Sequence, residues 1–230
     1  MKNLSHLEQI IHISFRHKDL LKNAFIHRSY LNENSTGNLS SNEKLEFLGD
    51  SVLSLITSMY LYTTYPHLHE GVYTDIKSSI VKTESLYEAA KKLELNLYLY
   101  LSKGEEKNKG KYNKSILADC FEALIASIFL DQGFEASNRF VMEFLFGTHL
   151  DHIITHRLYL SPKNRLQEYW QNKYKKLPQY IVLDRTGPEH KKHYSVAILI
   201  DAKHIGKGEG KSIKKAEEKA ALDALQKIGV

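Results

Sequence analysis

Cysteine is nearly absent from this chain of 230 residues. The single one, Cys120, excludes an intrachain disulfide and fits a reducing, cytoplasmic location. Long apolar runs are missing as well, so we expect no segment that spans a bilayer and no membrane partner. The first residues also lack the uninterrupted apolar core of a signal peptide, which argues against export.

Charge is distributed unevenly along the chain. Residues 1–155 hold 16 Lys and Arg against 19 Asp and Glu, a net charge of −3. Residues 156–230 hold 16 against 8, a net charge of +8. This excess predicts a polyanion-binding surface in the last third. Lysine carried only for solubility would give the same count, so charge alone leaves both interpretations open.

Apolar residues recur at helical spacing through residues 4–150, where the alternation typical of strands is absent. We therefore predict an all-α domain over this range. Loops are expected at residues 32–41 and 103–114, where Asn, Ser, Gly and charged residues concentrate. Residues 151–160 are predicted to be a linker to a second domain.

The last third has the pattern of a small α+β domain, predicted over residues 161–229. A helix is expected at residues 163–174, and strands at residues 180–184, 193–200 and 203–208. Ser212 is a suitable N-cap for a final helix. The predicted order of elements is α-β-β-β-α.

Two groups of carboxylates are placed on predicted helix faces. Glu43, Glu46 and Asp50 fall within an arc of about 60°, at roughly 100° per residue. Asp119 and Glu122 are three residues apart and share a face of another helix. The side of the first helix opposite its acids is predicted to be apolar, with Leu45, Leu48, Val52 and Ile56.

Crossing of the two helices with their acidic faces together would gather Glu46, Asp50, Asp119 and Glu122 in one pocket. Such an oxygen-rich site without cysteine favours Mg²⁺ or Mn²⁺ over zinc and suits phosphodiester hydrolysis. The alternative is a set of ordinary surface acids neutralised by neighbours such as Lys44, and for either group alone it is the simpler interpretation. Both groups together favour the metal site.

Residues 42–53 resemble the signature of the ribonuclease III family, and residues 115–131 resemble its second acidic motif. Residues 15–30, which end in Ala-Phe-Ile-His-Arg-Ser-Tyr, are similar to the family's N-terminal segment. The last third resembles a double-stranded RNA-binding domain. The resemblance thus covers nearly the whole chain, and implies an all-α ribonuclease III domain followed by an α-β-β-β-α double-stranded RNA-binding domain.

The resemblance also implies residue roles. Glu46, Asp119 and Glu122 match metal ligands, Asp50 and Glu122 match catalytic acids, Glu43 matches an accessory acid, and Phe47 matches a dimer contact. It implies a homodimer in which each subunit cuts one strand of double-stranded RNA. The products would carry 5′-phosphate and 3′-hydroxyl ends with short 3′ overhangs, and the cofactor would be Mg²⁺ or Mn²⁺.

An RNA-binding surface is predicted on three parts of the last third. The start of the final helix offers free N–H groups and positive charge to phosphates. The polar side of the helix at residues 163–174 and the loop at residues 187–190 would extend it towards two minor grooves. The residues expected to contact RNA are Arg165, Gln167, Glu168, Gln171, His190, Lys211, Lys214 and Lys215.

The chain departs from the family pattern at Ile213 and Glu217, which predicts weaker RNA binding, and at Tyr73 and Lys77, which affects fine positioning. Several other polar or reactive residues are expected to be structural or solvent-exposed rather than catalytic: Cys120, His27, Trp170, His152 and His156.

Two rival functions remain open at this level. One is a non-catalytic double-stranded RNA-binding regulator that kept the fold, and the other is a nuclease directed at DNA. Ribosomal RNA precursors, messenger hairpins and small-RNA duplexes all present the shape that such an enzyme would recognise.

Overall fold

The structure is a computed structural model that describes residues 3–34, 39–188 and 192–229, without the side chains at positions 148, 149, 151 and 152. The chain folds into two compact units, Met1–Thr155 and His156–Val230. This division falls within residues 151–160, which were predicted as a linker, but a helix continues to Thr155, so the first half of that prediction is wrong. Among the described residues, no helix has the length and apolar character needed to cross a membrane.

The first unit is helical, as predicted. Its helices are α1 (Leu4–Ile10), α2 (Lys18–Asn23), α3 (Arg28–Glu33), α4 (Glu43–Thr64), α5 (Glu70–Ile80), α6 (Thr83–Lys92), α7 (Lys103–Lys107), α8 (Lys114–Gln132), α9 (Phe134–Val141) and α10 (Gly147–Thr155). Short 3₁₀ turns lie at Leu95–Leu97 and Gly110–Tyr112, and a π-helical turn at Met142–Phe146 joins α9 to α10.

Helix α8 is the centre of this unit, because apolar residues occur all around it and most of them are buried. Its first turn is capped by Asn113, whose side chain accepts the N–H groups of Ser115 and Ile116 at 2.9 and 3.4 Å. It ends at Gly133, where φ is 83°. Helices α4 and α6 pack against it. Most side chains of α8 are therefore buried.

The second unit has the predicted α-β-β-β-α order. Its elements are α11 (Pro162–Tyr174), β1 (Gln179–Thr186), β2 (His193–Ile200), β3 (Lys203–Gly210) and α12 (Ile213–Ile228). The strands form an antiparallel sheet in the order β1-β2-β3. A core between the sheet and the two helices includes Leu166, Val196, Ile198, Ala220 and Leu225.

Helix α12 lies directly on the backbone of β3. A Cβ at Gly208 would stand 2.2 Å from the amide nitrogen of Ala220 and 2.4 Å from the carbonyl oxygen of Ala216. Only glycine on the strand and alanine on the helix allow this approach. The contact fixes the position of α12, including its first turn.

The predicted loop at residues 103–114 is wrong, because α7 and a 3₁₀ turn lie within it. Ser102 begins α7 by accepting the N–H of Glu105 at 3.1 Å. So short a helix has too few apolar positions to show a period in the sequence. The predicted loop at residues 32–41 starts late, since α3 continues to Glu33, and residues 35–38 lie outside the described part.

Candidate metal centre and RNA-binding surface

Three carboxylates meet where α4 crosses α8. Glu46 comes from α4, Asp119 and Glu122 come from α8, and one oxygen of each lies within 4.8 Å of the others. All three side chains are half-buried. The crossing therefore brings together three of the four carboxylates that the sequence predicted in one pocket, and Asp50 is not among them.

Gly49 is the residue that lets the two helices approach so closely, and the sequence interpretation missed it. A Cβ at this position would stand 2.0 Å from the carbonyl oxygen of Glu122. Glycine inside a helix costs about 1 kcal/mol relative to alanine, so its presence one turn after Glu46 was a signal of close packing.

The acidic stripe borders the buried side of α4 instead of lying opposite to it. Leu45, Val52 and Ile56 are buried as predicted. Leu48, however, is only half-buried, whereas Leu53, close to the acids in angle around the helix, is fully buried. Leu48 lies on the side away from the acids as predicted, but it is less buried than Leu53 because the α4–α8 interface runs beside the carboxylates.

Burial and mutual repulsion disfavour ionisation of these carboxyls. Burial, followed by the charges of Asp50, Asp119 and Glu46, raises the pKa of Glu122 to about 8. The pKa values of Glu46 and Asp119 are also raised, in both cases chiefly by burial. A bound cation would relieve both causes at once, since it replaces water as the partner of the charges.

Asp50 and Glu43 lie outside this group of three. Asp50 is exposed one turn after Glu46, and its charge is the largest electrostatic influence on Glu122. Glu43 is also exposed, and it accepts a hydrogen bond from Ser41 Oγ at 2.7 Å. Its ion-pair partner is Arg28, at 3.8 Å, and not Lys44. The two residues therefore stand at the rim of the pocket.

The donor set fits a hard divalent cation. Three carboxylates with converging oxygens are typical ligands for Mg²⁺ or Mn²⁺, and no thiolate takes part. Cys120 is fully buried, and burial raises the pKa of its thiol, which makes it a core residue as predicted.

Of the predicted structural histidines, His27 is the N-cap of α3, where its Nδ1 accepts the N–H of Ser29 at 3.3 Å. Its pKa is lowered, mainly by burial, and the charge of Asp119 opposes this shift. His156 is exposed, in agreement with the prediction, and lies in the turn after α10. The side chain of His152 lies outside the described part of the chain.

The raised pKa of Glu122 predicts a pH-dependent response to metal. Without metal, the folded state holds the proton of Glu122 more tightly than the unfolded state does, so this group's contribution to the free energy of unfolding falls as pH rises towards about 8. Mg²⁺ must displace that proton. The increase in Tm caused by Mg²⁺ should therefore grow between about pH 6 and about pH 8 and then level off.

Thermal unfolding with Mg²⁺ and with chelator, across that pH range, measures this effect. The matched variant Glu122→Gln, which has no titrating carboxyl at this position, should lose most of the pH dependence. If Mg²⁺ raised the Tm of the unsubstituted protein equally at about pH 6 and at about pH 8, the prediction would be contradicted.

One face of α4 carries exposed apolar side chains. Phe47 is 78% exposed, Leu55 is 52% and Tyr62 is 73% exposed, and with Met59 they fall within an arc of about 120°. Beside them lies a cavity of about 440 Å³. It is lined in part by Met59, Tyr62, Tyr73 and Lys77.

Tyr73 and Lys77, the two residues of α5 that depart from the family pattern, both line this cavity. The Tyr73 hydroxyl donates to the carbonyl oxygen of Tyr65 at 2.7 Å, and Lys77 Nζ donates to Ser58 Oγ at 3.2 Å. Both side chains thus join α5 to α4 and the turn that follows it. Their positions place them by the exposed apolar face and not among the three carboxylates.

The second unit presents two polar surfaces on its helices. On α11, Gln167 and Gln171 are exposed and Arg165 is half-buried. Glu168 forms an ion pair with Arg157 at 3.0 Å. Trp170 packs against the core, as predicted. His190 lies outside the described residues.

The start of α12 is built as a phosphate-binding helix end would be. Ser212 caps it by accepting the N–H of Lys215 at 3.2 Å, and Lys211, Lys214 and Lys215 are all exposed. Ile213 is half-buried, so it does not take the place of a lysine at the surface. The carboxylate of Glu217, the other departure, is held by Lys163 at 2.6 Å.

Comparison with known proteins identifies both units. The Ribonuclease-III-like family matches residues 17–149, and the Double-stranded RNA binding motif matches residues 162–228. The Ribonuclease 3 of Chloroflexus aggregans is 41% identical over 233 residues, which cover 99% of each chain. The Ribonuclease 3 of Streptococcus thermophilus is 40% identical over 227 residues, covering 97% of this chain and 96% of that protein.

A solved structure agrees with these matches. The nuclease domain of ribonuclease III from Campylobacter jejuni, described as flexible in a region involved in dimer formation, is 34% identical with a TM-score of 0.58. The match covers 63% of this chain and 96% of that domain. The chain therefore belongs to the ribonuclease III family, with a double-stranded RNA-binding motif as its C-terminal unit.

Proposed function

We propose that this chain is a Mg²⁺-dependent endoribonuclease that hydrolyses both strands of double-stranded RNA, leaving 5′-phosphate and 3′-hydroxyl ends with short 3′ overhangs. The observation that carries the proposal is the convergence of Glu46, Asp119 and Glu122 in a chain that also holds a double-stranded RNA-binding motif. Precursors of ribosomal RNA, messenger hairpins and small-RNA duplexes are the proposed substrates, because they share the A-form duplex shape.

The residues of the pocket have distinct proposed roles. Glu46, Asp119 and Glu122 would hold Mg²⁺, and Mn²⁺ would substitute because it prefers the same oxygen ligands. The chemistry that Mg²⁺ would supply there is polarisation of the scissile phosphodiester and a lower pKa of the attacking water. Asp50, exposed at the rim, accepts a hydrogen bond from that water and orients it. Glu43, paired with Arg28, is an accessory acid at the entrance.

The proposed enzyme is a homodimer in which each subunit supplies one centre. An exposed apolar stripe on α4 would be covered by the same stripe of a second copy, as a two-fold interface requires. Phe47 would enter the partner's cavity beside α5, which has room for an aromatic ring. The proposal is also supported by the dimer-forming region described for the Campylobacter jejuni nuclease domain.

Replacing Phe47 by alanine should weaken the dimer by about tenfold or more, because truncating a buried aromatic anchor at an interface typically costs about 2 kcal/mol and tenfold corresponds to about 1.4 kcal/mol. Sedimentation velocity across a concentration series measures the dissociation constant. Tyr112→Ala is the matched control, since Tyr112 is an aromatic residue that is 67% exposed in the same unit and belongs to the 3₁₀ turn at Gly110–Tyr112 instead of α4. Unchanged association of Phe47→Ala would count against this interface.

One cleavage assay tests the proposed function. Purified protein should cut a long RNA duplex with Mg²⁺ and leave it intact with chelator, and the DNA analogue of the same sequence should stay uncut because it lacks the 2′-hydroxyls that such a motif contacts. Binding without Mg²⁺-dependent cleavage would instead identify a non-catalytic RNA-binding regulator. Comparable cutting of DNA would identify a nuclease of broader substrate range.

A further inference from the structure

A partly buried ion pair joins the two helices of the second unit. Lys163, in the first turn of α11, lies 2.6 Å from Glu217 on α12, and the side chains are 36% and 21% exposed. Among the ion pairs formed by described residues of this unit, it is the least exposed. A partly buried pair is screened less by water and salt than one at the surface.

The pair is also attached to the sheet. The Lys163 ammonium lies 4.7 Å from the centre of the Tyr180 ring on β1, within the range of a cation–π contact. Tyr180 packs against the core, and its hydroxyl has no hydrogen-bond partner among the described residues. Lys163 thus contacts both Glu217 and Tyr180, and three elements meet at one ammonium group.

Two of these three elements carry the proposed RNA contacts. Gln167 and Gln171 lie on α11, and Lys214 and Lys215 begin α12. An A-form duplex is stiff, and its minor-groove and phosphate groups are spaced at fixed distances. Simultaneous contact by both helices therefore requires a fixed placement of α11 against the first turns of α12.

We propose that Lys163, Glu217 and Tyr180 form a clamp that positions α11 and the start of α12 for simultaneous contact with duplex RNA. The three are positioning residues, and the inference rests on the proposed RNA-binding function. In this proposal the negatively charged Glu217 favours RNA binding, although its charge alone would repel the phosphates. Loss of a negative charge should strengthen binding to a polyanion, whereas loss of the clamp should weaken it.

The test is duplex binding by the full-length protein in chelator, measured by fluorescence anisotropy. Duplexes shorter and longer than about 16 base pairs are compared, since a motif of this kind spans about that length. Glu217→Gln and Lys163→Met should each lose at least about fivefold in affinity for the long duplex and little for the short one. The double variant should be no worse than either single, because both break the same interaction.

Glu218→Gln is the matched control, because it makes the same charge change at the next position of α12. It should bind both duplexes as tightly as the unsubstituted protein or more tightly. Glu217→Gln binding the long duplex without loss would overturn the clamp. So would an equal loss on short and long duplexes, which is the result expected of a residue that serves only to stabilise the fold.

Failure of the proposed function is a different result. In that case the unsubstituted protein and Glu218→Gln would both fail to bind duplex RNA of any length. If these two proteins bind duplex RNA, and each clamp variant changes its affinity equally for short and long duplexes, only the clamp is rejected.

Discussion

Glu122→Gln is expected to reduce Mg²⁺-supported cleavage of duplex RNA by about 10³-fold or more, while binding to the duplex in chelator stays within about twofold. The two side chains have nearly the same shape, so packing around the half-buried group is kept. What is lost is one of the three converging carboxylates. Because a metal ion supplies several kcal/mol of transition-state stabilisation, disruption of its site costs several factors of ten in rate.

The same substitution should stabilise the metal-free protein at neutral pH. Glu122 is half-buried beside other acids, and its raised pKa reports that burial and the neighbouring charges disfavour the charged form. At neutral pH the unfolded chain ionises this carboxyl while the folded chain keeps it largely protonated, and glutamine removes the free-energy cost of that proton uptake. A higher Tm in chelator together with lost activity would show that this pocket trades stability for metal binding.

Single-turnover cleavage with Mg²⁺ measures the rate, and anisotropy in chelator measures binding. Glu135→Gln is the matched control, since Glu135 is an exposed acid on α9 in the same unit. Asp50→Asn should also abolish cutting without loss of binding, since Asp50 is proposed to orient the attacking water. Near-normal cleavage by both the Glu122 and the Asp50 variants would refute the catalytic assignment.

Gly49→Ala is expected to destabilise the first unit by about 3 kcal/mol or more and to abolish cleavage. The added methyl would lie 2.0 Å from the carbonyl oxygen of Glu122, which belongs to the backbone of the central helix and cannot rotate away. Helices α4 and α8 must separate, and Glu46 then leaves Asp119 and Glu122. Both the packing of the unit and the metal site are lost together.

Gly71→Ala is a suitable control for this effect. Gly71 lies in the first turn of α5, and a Cβ there meets nothing within 4 Å. Alanine should be neutral or stabilise by up to about 1 kcal/mol, because it lowers the conformational entropy of the unfolded chain. Thermal unfolding of both variants and a cleavage assay are the measurements. Equal Tm values for the two variants would refute the steric role of Gly49.

Some features could be predicted because they depend on residues close together in the sequence. The spacing of Asp119 and Glu122 places both on one face of any helix that contains them. Ser212 was predicted as an N-cap from its position before a helical pattern, and it accepts the N–H of Lys215 three residues later. Alternation of apolar residues in 193–200 likewise predicted β2.

Other features depend on which elements pack together, and local patterns carry no information on that. Leu48 and Leu53 are both leucines at helical positions, yet only the position of α8 decides which of them is buried. The role of Gly49 depends on a backbone atom of Glu122 in another helix. From the sequence, Glu217 is an acid on a predicted RNA-binding helix, where its charge would weaken RNA binding. The structure shows that Lys163, far away in the sequence, forms an ion pair with it.

The sequence by itself therefore determined the two units, the order of their elements, the carboxylates of the candidate centre and the basic character of the last third. These features follow from composition and short-range periodicity, which are properties of the sequence and do not depend on how the chain packs. Only the tertiary structure decided that Glu46 joins Asp119 and Glu122 while Asp50 stands at the rim. The acids of α4 are divided in this way because Gly49 allows α4 to touch the backbone of α8. Close packing between segments far apart in the sequence is a property of the folded chain.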